Sequence, residues 1–161
     1  AQQRLWFLAQ LDAQAELAYL MPHGLRLRGR LDREALRQAL DRIAARHESL
    51  RTRIVLHQDQ PTQRIDSDGL GFRLTERALG THPEPHSEVR RLAELESQTP
   101  FDLAHDTLAR AQLVHLSEDE HVLLVTLHHL IADGWSMGLL VHELSVLYTA
   151  FVQGQPDPLP P

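Results

Sequence analysis

"ARAQLVHLSEDEHVLLVTLHHLIADGWSMGLLVHELSVLYTAF", Ala109 to Phe151, decides the fold. Ala109–Leu116 and His121–His128 read as two strands, with "SEDE", Ser117–Glu120, as the hairpin turn between them. The second run is apolar at successive positions, so both of its faces are covered and it belongs inside a sheet. Past a short loop, Met137, Leu140, Val141, Leu144, Leu147, Tyr148 and Phe151 fall on one face of a long helix. This order brings a polar stretch, "HHLIADGWS" (His128–Ser136), to the end of the most apolar strand.

Working outward, Gln2–Leu11 reads as a short helix with Leu5 and Leu8 turned inward. His23–Arg28 alternates apolar and polar residues, as a strand ended by Gly29 does. Asp32 caps a helix running to Arg46, whose apolar stripe is Leu36, Leu40, Ile43 and Ala44. Leu50–His57 is a strand, paired with Gln63–Ile65 after a turn at Asp59–Pro61. Gly71–Glu76 is a further strand. Thr81–Ser87 is a loop, with Ser87 capping a helix to Gln98. Helices mixed with strands, including an antiparallel hairpin, predict an α/β sandwich built on a mixed sheet.

Composition narrows the function. A chain of 161 residues is long enough for one domain with a substantial core. Net charge is −6 with both signs interspersed, so neither a nucleic-acid stripe nor a basic membrane patch is present. With no cysteine, disulfides and thiolate chemistry are excluded, and a cytoplasmic setting is expected. No apolar run is long enough for a membrane span, and the start lacks the pattern of a signal peptide. The start falls in mid-helix pattern without a Met, and "GQPDPLPP" (Gly154–Pro161) reads as a linker. Both features lead us to expect a piece of something longer.

The loop after His128 carries the chemistry. A histidine near its unperturbed pKa accepts a proton at neutral pH, which makes His129 a candidate base. Asp133 either holds the ring's other nitrogen or reaches an arginine and braces the loop. Gly134 permits a sharp turn and the close approach of a substrate. Trp135 and Ser136 open the long helix, whose first N–H groups favour developing negative charge. A base beside a helix N-terminus suits acyl transfer. Spacing alone leaves two plainer readings open: histidines bonded to backbone carbonyls, or a metal site using His128, His129 and Asp133. Adjacent residues at a strand end point to opposite faces, which weighs against one ion reaching both rings. The same geometry offers His129 to the site and packs His128 beneath it. Arg46, His47, Glu48 and Arg51 are expected to form hydrogen bonds and ion pairs where helix meets strand. His142 and Glu143 lie off the apolar stripe and are expected to be solvated. His57, His82, His86, His105 and His121 carry no assignment.

"HHLIADGWS" resembles the HHxxxDG motif of the condensation domains of nonribosomal peptide synthetases. "AQQRLWFLAQL" (Ala1–Leu11, including Arg4) is similar to that family's first motif, and "RHESLRT" (Arg46–Thr52) to its second. The three stand in the family's order, and the resemblance covers essentially the whole chain. Ile54 departs from a frequent aromatic and Ala132 from a frequent serine.

The resemblance implies a two-layer, mixed-sheet sandwich like chloramphenicol acetyltransferase, one lobe of a two-lobed pseudodimer. Residues 1–153 would be the N-terminal lobe, and 154–161 a proline-rich linker toward an absent C-terminal lobe. The implied activity is peptide-bond formation between aminoacyl or peptidyl thioesters held by carrier proteins, as in antibiotic biosynthesis. His129 stands at the reaction centre, as base or as positioner of the amine, and Gly134 lends backbone near the oxyanion. His128, Asp133, Trp135 and Ser136 are structural there. The implied partner of Asp133 is an arginine of the other lobe; in this chain alone Asp133 is left unpaired or borrows Arg4, Arg51 or Arg53. No cofactor or metal is bound directly, and the phosphopantetheine arm comes with the carrier proteins. The implied partners are upstream and downstream peptidyl carrier proteins and the second lobe, with no nucleic acid and no membrane. A lone lobe has half a site, so it is expected to be inactive and prone to self-association. The alternatives are a non-catalytic carrier-protein-binding or interaction module, another HxxxD acyltransferase, or an epimerisation relative. "GWS" favours condensation.

Overall fold

In the computed structural model, which describes residues 20–65, 72–102, 108–128 and 137–160, the Ala109–His128 hairpin forms the centre of the sheet. Its strands are β5 (Ala109–Ser117) and β6 (Glu120–His128). β1 (Leu20–Arg28) flanks β6, and β4 (Arg73–Ala78) flanks β5, giving the order β1-β6-β5-β4. β1 and β5 run antiparallel to β6, whereas β4 runs parallel to β5. The parallel pair is joined through α2 (Pro85–Gln98), because parallel neighbours need a crossover. β2 (Thr52–His57) and β3 (Gln60–Ile65) form a separate hairpin.

α1 (Arg33–Arg46) starts where Asp32 caps it, the carboxylate accepting from the Ala35 N–H at 3.0 Å. Its stripe, Leu36, Leu40, Ile43 and Ala44, is buried. α3 (Met137–Val152) lies against α1 and buries Leu140, Leu144 and Leu147. Val141 is the exception on its predicted face: at 38 % exposure it lies outside the core. The Asp32 N–H also donates to the Tyr148 hydroxyl at 3.0 Å, tying the start of α1 to α3.

Alternation along β6 explains the layers. Leu123, Val125 and Leu127 face the α1–α3 core together with Ala111 and Leu113. Val122 and Leu124 face a second cluster with Val114, Leu116 and Leu92 of α2. The sheet is mixed and the sandwich is α/β, as the pattern predicts. α2 packs through Leu92 on the second face of β6, the strand that is apolar on both.

Boundaries shift where local chemistry intervenes. A 3-10 turn at Glu48–Arg51 delays β2 to Thr52. The β2–β3 turn falls at Gln58 and Asp59, with φ of 51° and 62°, earlier than Asp59–Pro61. β4 lies later than Gly71–Glu76. α2 begins at Pro85, whose ring suits the first helical position, so Ser87 is inside the helix and is not its cap. The helix expected at Gln2–Leu11 lies outside the described residues.

α3 ends in a Schellman motif. Gly154, at φ 70°, donates to the Phe151 carbonyl, and Gln155 N–H reaches back to Ala150 O at 2.8 Å. The chain then folds onto α1. Arg42 Nε meets Asp157 Oδ2 at 2.5 Å, and Arg46 Nη1 donates to Pro160 O at 2.6 Å. Burial would raise the Asp157 carboxyl, but bonds from Arg42 and the Leu159 N–H, with the charges of Arg42 and Arg46, hold it below the usual range.

Candidate functional site

His128 ends β6, and residues 129–136 link it to α3. The alternation of β6 turns the His128 ring toward the α2 side of the sheet, where it is fully buried. Its backbone N–H donates to Leu108 O at 2.9 Å, and its ring meets Phe101 edge to face, 5.9 Å between centroids. Beside it, Thr126 Oγ1 donates to Glu96 Oε2 of α2 at 3.0 Å. Arg110 of β5 pairs with the same carboxylate at 2.7 Å and lies 4.3 Å from the centre of the Phe101 ring. Its Nη2 donates to the carbonyls of Glu96 at 3.1 Å and Thr99 at 2.5 Å. These are the last carbonyls around the end of α2, where a cation is favourable.

On the other side of the sheet, the Arg46–Thr52 segment meets α3. His47 Nε2 lies 2.8 Å from Glu143 Oε2, and Arg46 Nε lies 3.7 Å from Glu143 Oε1. Glu143 is buried, contrary to the expectation that it is solvated, whereas His142 is exposed. An acid on a buried helix face is stable only with partners, and the neighbouring segment supplies two. Arg51 turns back to donate from Nε to Ala44 O at 3.0 Å, covering carbonyls at the end of α1. Glu48 is exposed, and its carbonyl accepts from Thr52 Oγ1 at 2.8 Å. Ile54, at the position that departs from the aromatic pattern, is buried in the core.

Arg4, His129, Asp133, Gly134, Trp135 and Ser136 lie outside the described residues. A cavity of about 490 Å³ between β1 and α3, lined by Leu25, Leu27, Leu144 and Tyr148, sits toward the far end of β1. Leu20 at the other end of β1 is the residue paired with His128, so this cavity lies toward the end of the sheet opposite His128.

Sequence reading missed two groups. The Glu96–Arg110 pair joins α2 to β5 and offered no local signal. His115 and His121 are cross-strand partners, with Nδ1 and Nε2 2.8 Å apart. A two-residue turn at Glu118–Asp119 would set Leu116 opposite His121; the register shift between His115 and Ser117 brings His115 there instead, and the sequence carried no signal for it. Burial lowers the pKa of His121, aided by the charges of His115 and Arg33.

The fold is shared with the starter condensation domain of rhizomide synthetase RzmA: TM-score 0.88 at 18 % identity, covering 99 % of this chain and 38 % of that one. The first condensation domain of the calcium-dependent antibiotic synthetase, in complex with a substrate analogue, matches with TM-score 0.81 and 27 % identity, over 99 % of this chain and 39 % of that one. The X-domain from teicoplanin biosynthesis matches with TM-score 0.81 and 38 % identity, over 99 % and 33 %. Among curated relatives, malpibaldin synthetase of Mortierella alpina is 46 % identical over 161 residues, all of this chain and 3 % of that protein. Chondramide synthase cmdD of Chondromyces crocatus is 44 % identical over 160 residues, 99 % of this chain and 4 % of that protein. The chain therefore spans only a small fraction of the relatives it matches. A model of the condensation domain fits residues 1–161, from the first motif through "HHLIADGWS" to the proline-rich tail, and the chain belongs to that family.

Proposed function

We propose that this chain is the N-terminal lobe of a condensation domain, residues 1–153, with 154–161 leading to a second lobe. In the intact domain it forms an amide bond between two thioesters delivered by an upstream and a downstream peptidyl carrier protein. The observation that carries this reading is the placement of His128, buried at the end of the central strand, directly before the HHxxxDG loop.

The downstream aminoacyl amine attacks the upstream thioester carbonyl. A C–N bond forms, the C–S bond breaks, and the phosphopantetheine sulfur leaves as the thiol, taking the second proton that the amide nitrogen sheds. His129 holds the amine on its line of attack, and the ammonium proton passes to it as the nucleophile is freed. Gly134 N–H, near the start of α3, lies by the carbonyl oxygen as its charge grows. Asp133 braces the loop through an arginine, and Trp135 and Ser136 fix its exit into the helix. Arg4, Arg46, His47, Glu48 and Arg51 support the site as structure and do not touch substrate. The phosphopantetheine arm belongs to the carrier proteins, and the domain holds no cofactor of its own. The lone chain holds half the site, so it is inactive and self-associates; its setting is the cytoplasm.

The reading is tested by His129→Ala in the intact domain with both carrier proteins loaded. Dipeptide formation should fall by at least about a hundredfold, the usual contribution of a positioned acid or base. Near-full activity would remove His129 from the reaction.

A further inference from the structure

We propose that Phe101 and Arg110 are positioning residues that set where the HHxxxDG loop begins, acting through His128. This rests on the reading that His129 stands at the reaction centre.

The contacts close into a ring on the α2 side of the sheet. Phe101, 4 % exposed, presents its ring against the His128 imidazole at an interplanar angle of 66°. The Arg110 guanidinium lies 4.3 Å from the centre of that same ring, a cation–π distance. Arg110 is held by the Glu96 carboxylate at 2.7 Å and by the carbonyls of Glu96 and Thr99. Glu96 Oε2 also receives Thr126 Oγ1, on the His128 side of the same strand. Strand, helix end and aromatic ring therefore fix one another, and the His128 N–H bond to Leu108 fixes the backbone at that point.

His129 follows His128 by one peptide, so the way His128 is held at the end of β6 sets the point from which the loop departs. A misplacement of about 1 Å costs roughly a hundredfold in rate where geometry limits the reaction. Phe101 is buried and acts through the placement of the residue after His128, so its loss is expected to act on turnover and leave binding alone.

The test uses the intact condensation domain with two loaded carrier proteins, comparing Phe101→Leu, Arg110→Lys and His129→Ala. Phe101→Leu keeps an apolar group but loses the ring edge; Arg110→Lys keeps the charge but loses the fork and the stacked plane. We expect kcat to fall about tenfold in Phe101→Leu and severalfold in Arg110→Lys, with the KM for each carrier protein unchanged. If Phe101→Leu does not fold, Arg110→Lys decides alone, since its side chain is partly exposed. If kcat stays within twofold of wild type while His129→Ala is inactive, positioning is refuted and the site reading survives. A rise in KM at constant kcat refutes it equally. Full activity in His129→Ala overturns both readings together.

Discussion

At the scale of the residue, burial decides roles that composition leaves open. Glu143 occupies a position that a helical wheel assigns to solvent, yet it is 4 % exposed between Arg46 and His47. Removing its carboxylate takes one acceptor from two half-buried partners, Arg46 and His47. Glu143→Ala should therefore lower the unfolding free energy by about 1–2 kcal/mol, measured by urea titration. A change under about 0.5 kcal/mol would show that the pair contributes nothing net. His121 gives a pH dependence with a definite sign. Its folded pKa is depressed by burial, then by His115 and Arg33. Between that lowered value and the unfolded value near 6.5, the unfolded chain binds more protons, so stability rises with pH across this window. The stabilisation is complete above about pH 6.5 and is lost as pH falls through the folded pKa. His121→Gln should flatten the slope of melting temperature against pH just below about pH 6.5 relative to wild type. An unchanged slope would assign that dependence to other groups.

At the scale of the element, the legible features were those with a local cause. Asp32, the α1 stripe, the alternation of β1 and the two-sided apolar run of β6 each follow from a period or a cap. What escaped depends on chain brought from elsewhere. The layer formed by α2 follows from packing, and the Glu96–Arg110 pair joins residues on different elements. The candidate loop was legible as a motif from two histidines and an aspartate, while the shell behind His128, Phe101 and Arg110, carried no pattern. The tail was read as a linker on its prolines alone, and its docking through Arg42 and Arg46 was invisible in composition. That docking depends on the exit angle that Gly154 gives α3. A side chain at φ 70° is strained, so Gly154→Ala should destabilise by about 1 kcal/mol in thermal unfolding. An equal or higher midpoint would mean that the helix can end another way.

At the scale of the whole molecule, the sheet holds the end of β6 in place. β6 is covered by β1 and β5 at its edges and by helices on both faces, which makes His128 a fixed point. The Arg46–Thr52 segment meets α3 through Glu143, so the second motif steadies the helix into which the loop runs. A single lobe offers one wall of a site that, on the proposed reading, needs two. The most direct measurement is dipeptide formation from two loaded carrier proteins, comparing this chain alone with this chain joined to a C-terminal condensation lobe. The account predicts dipeptide only from the joined protein, abolished there by His129→Ala. Comparable product from the chain alone, or none from a folded joined protein, would contradict it.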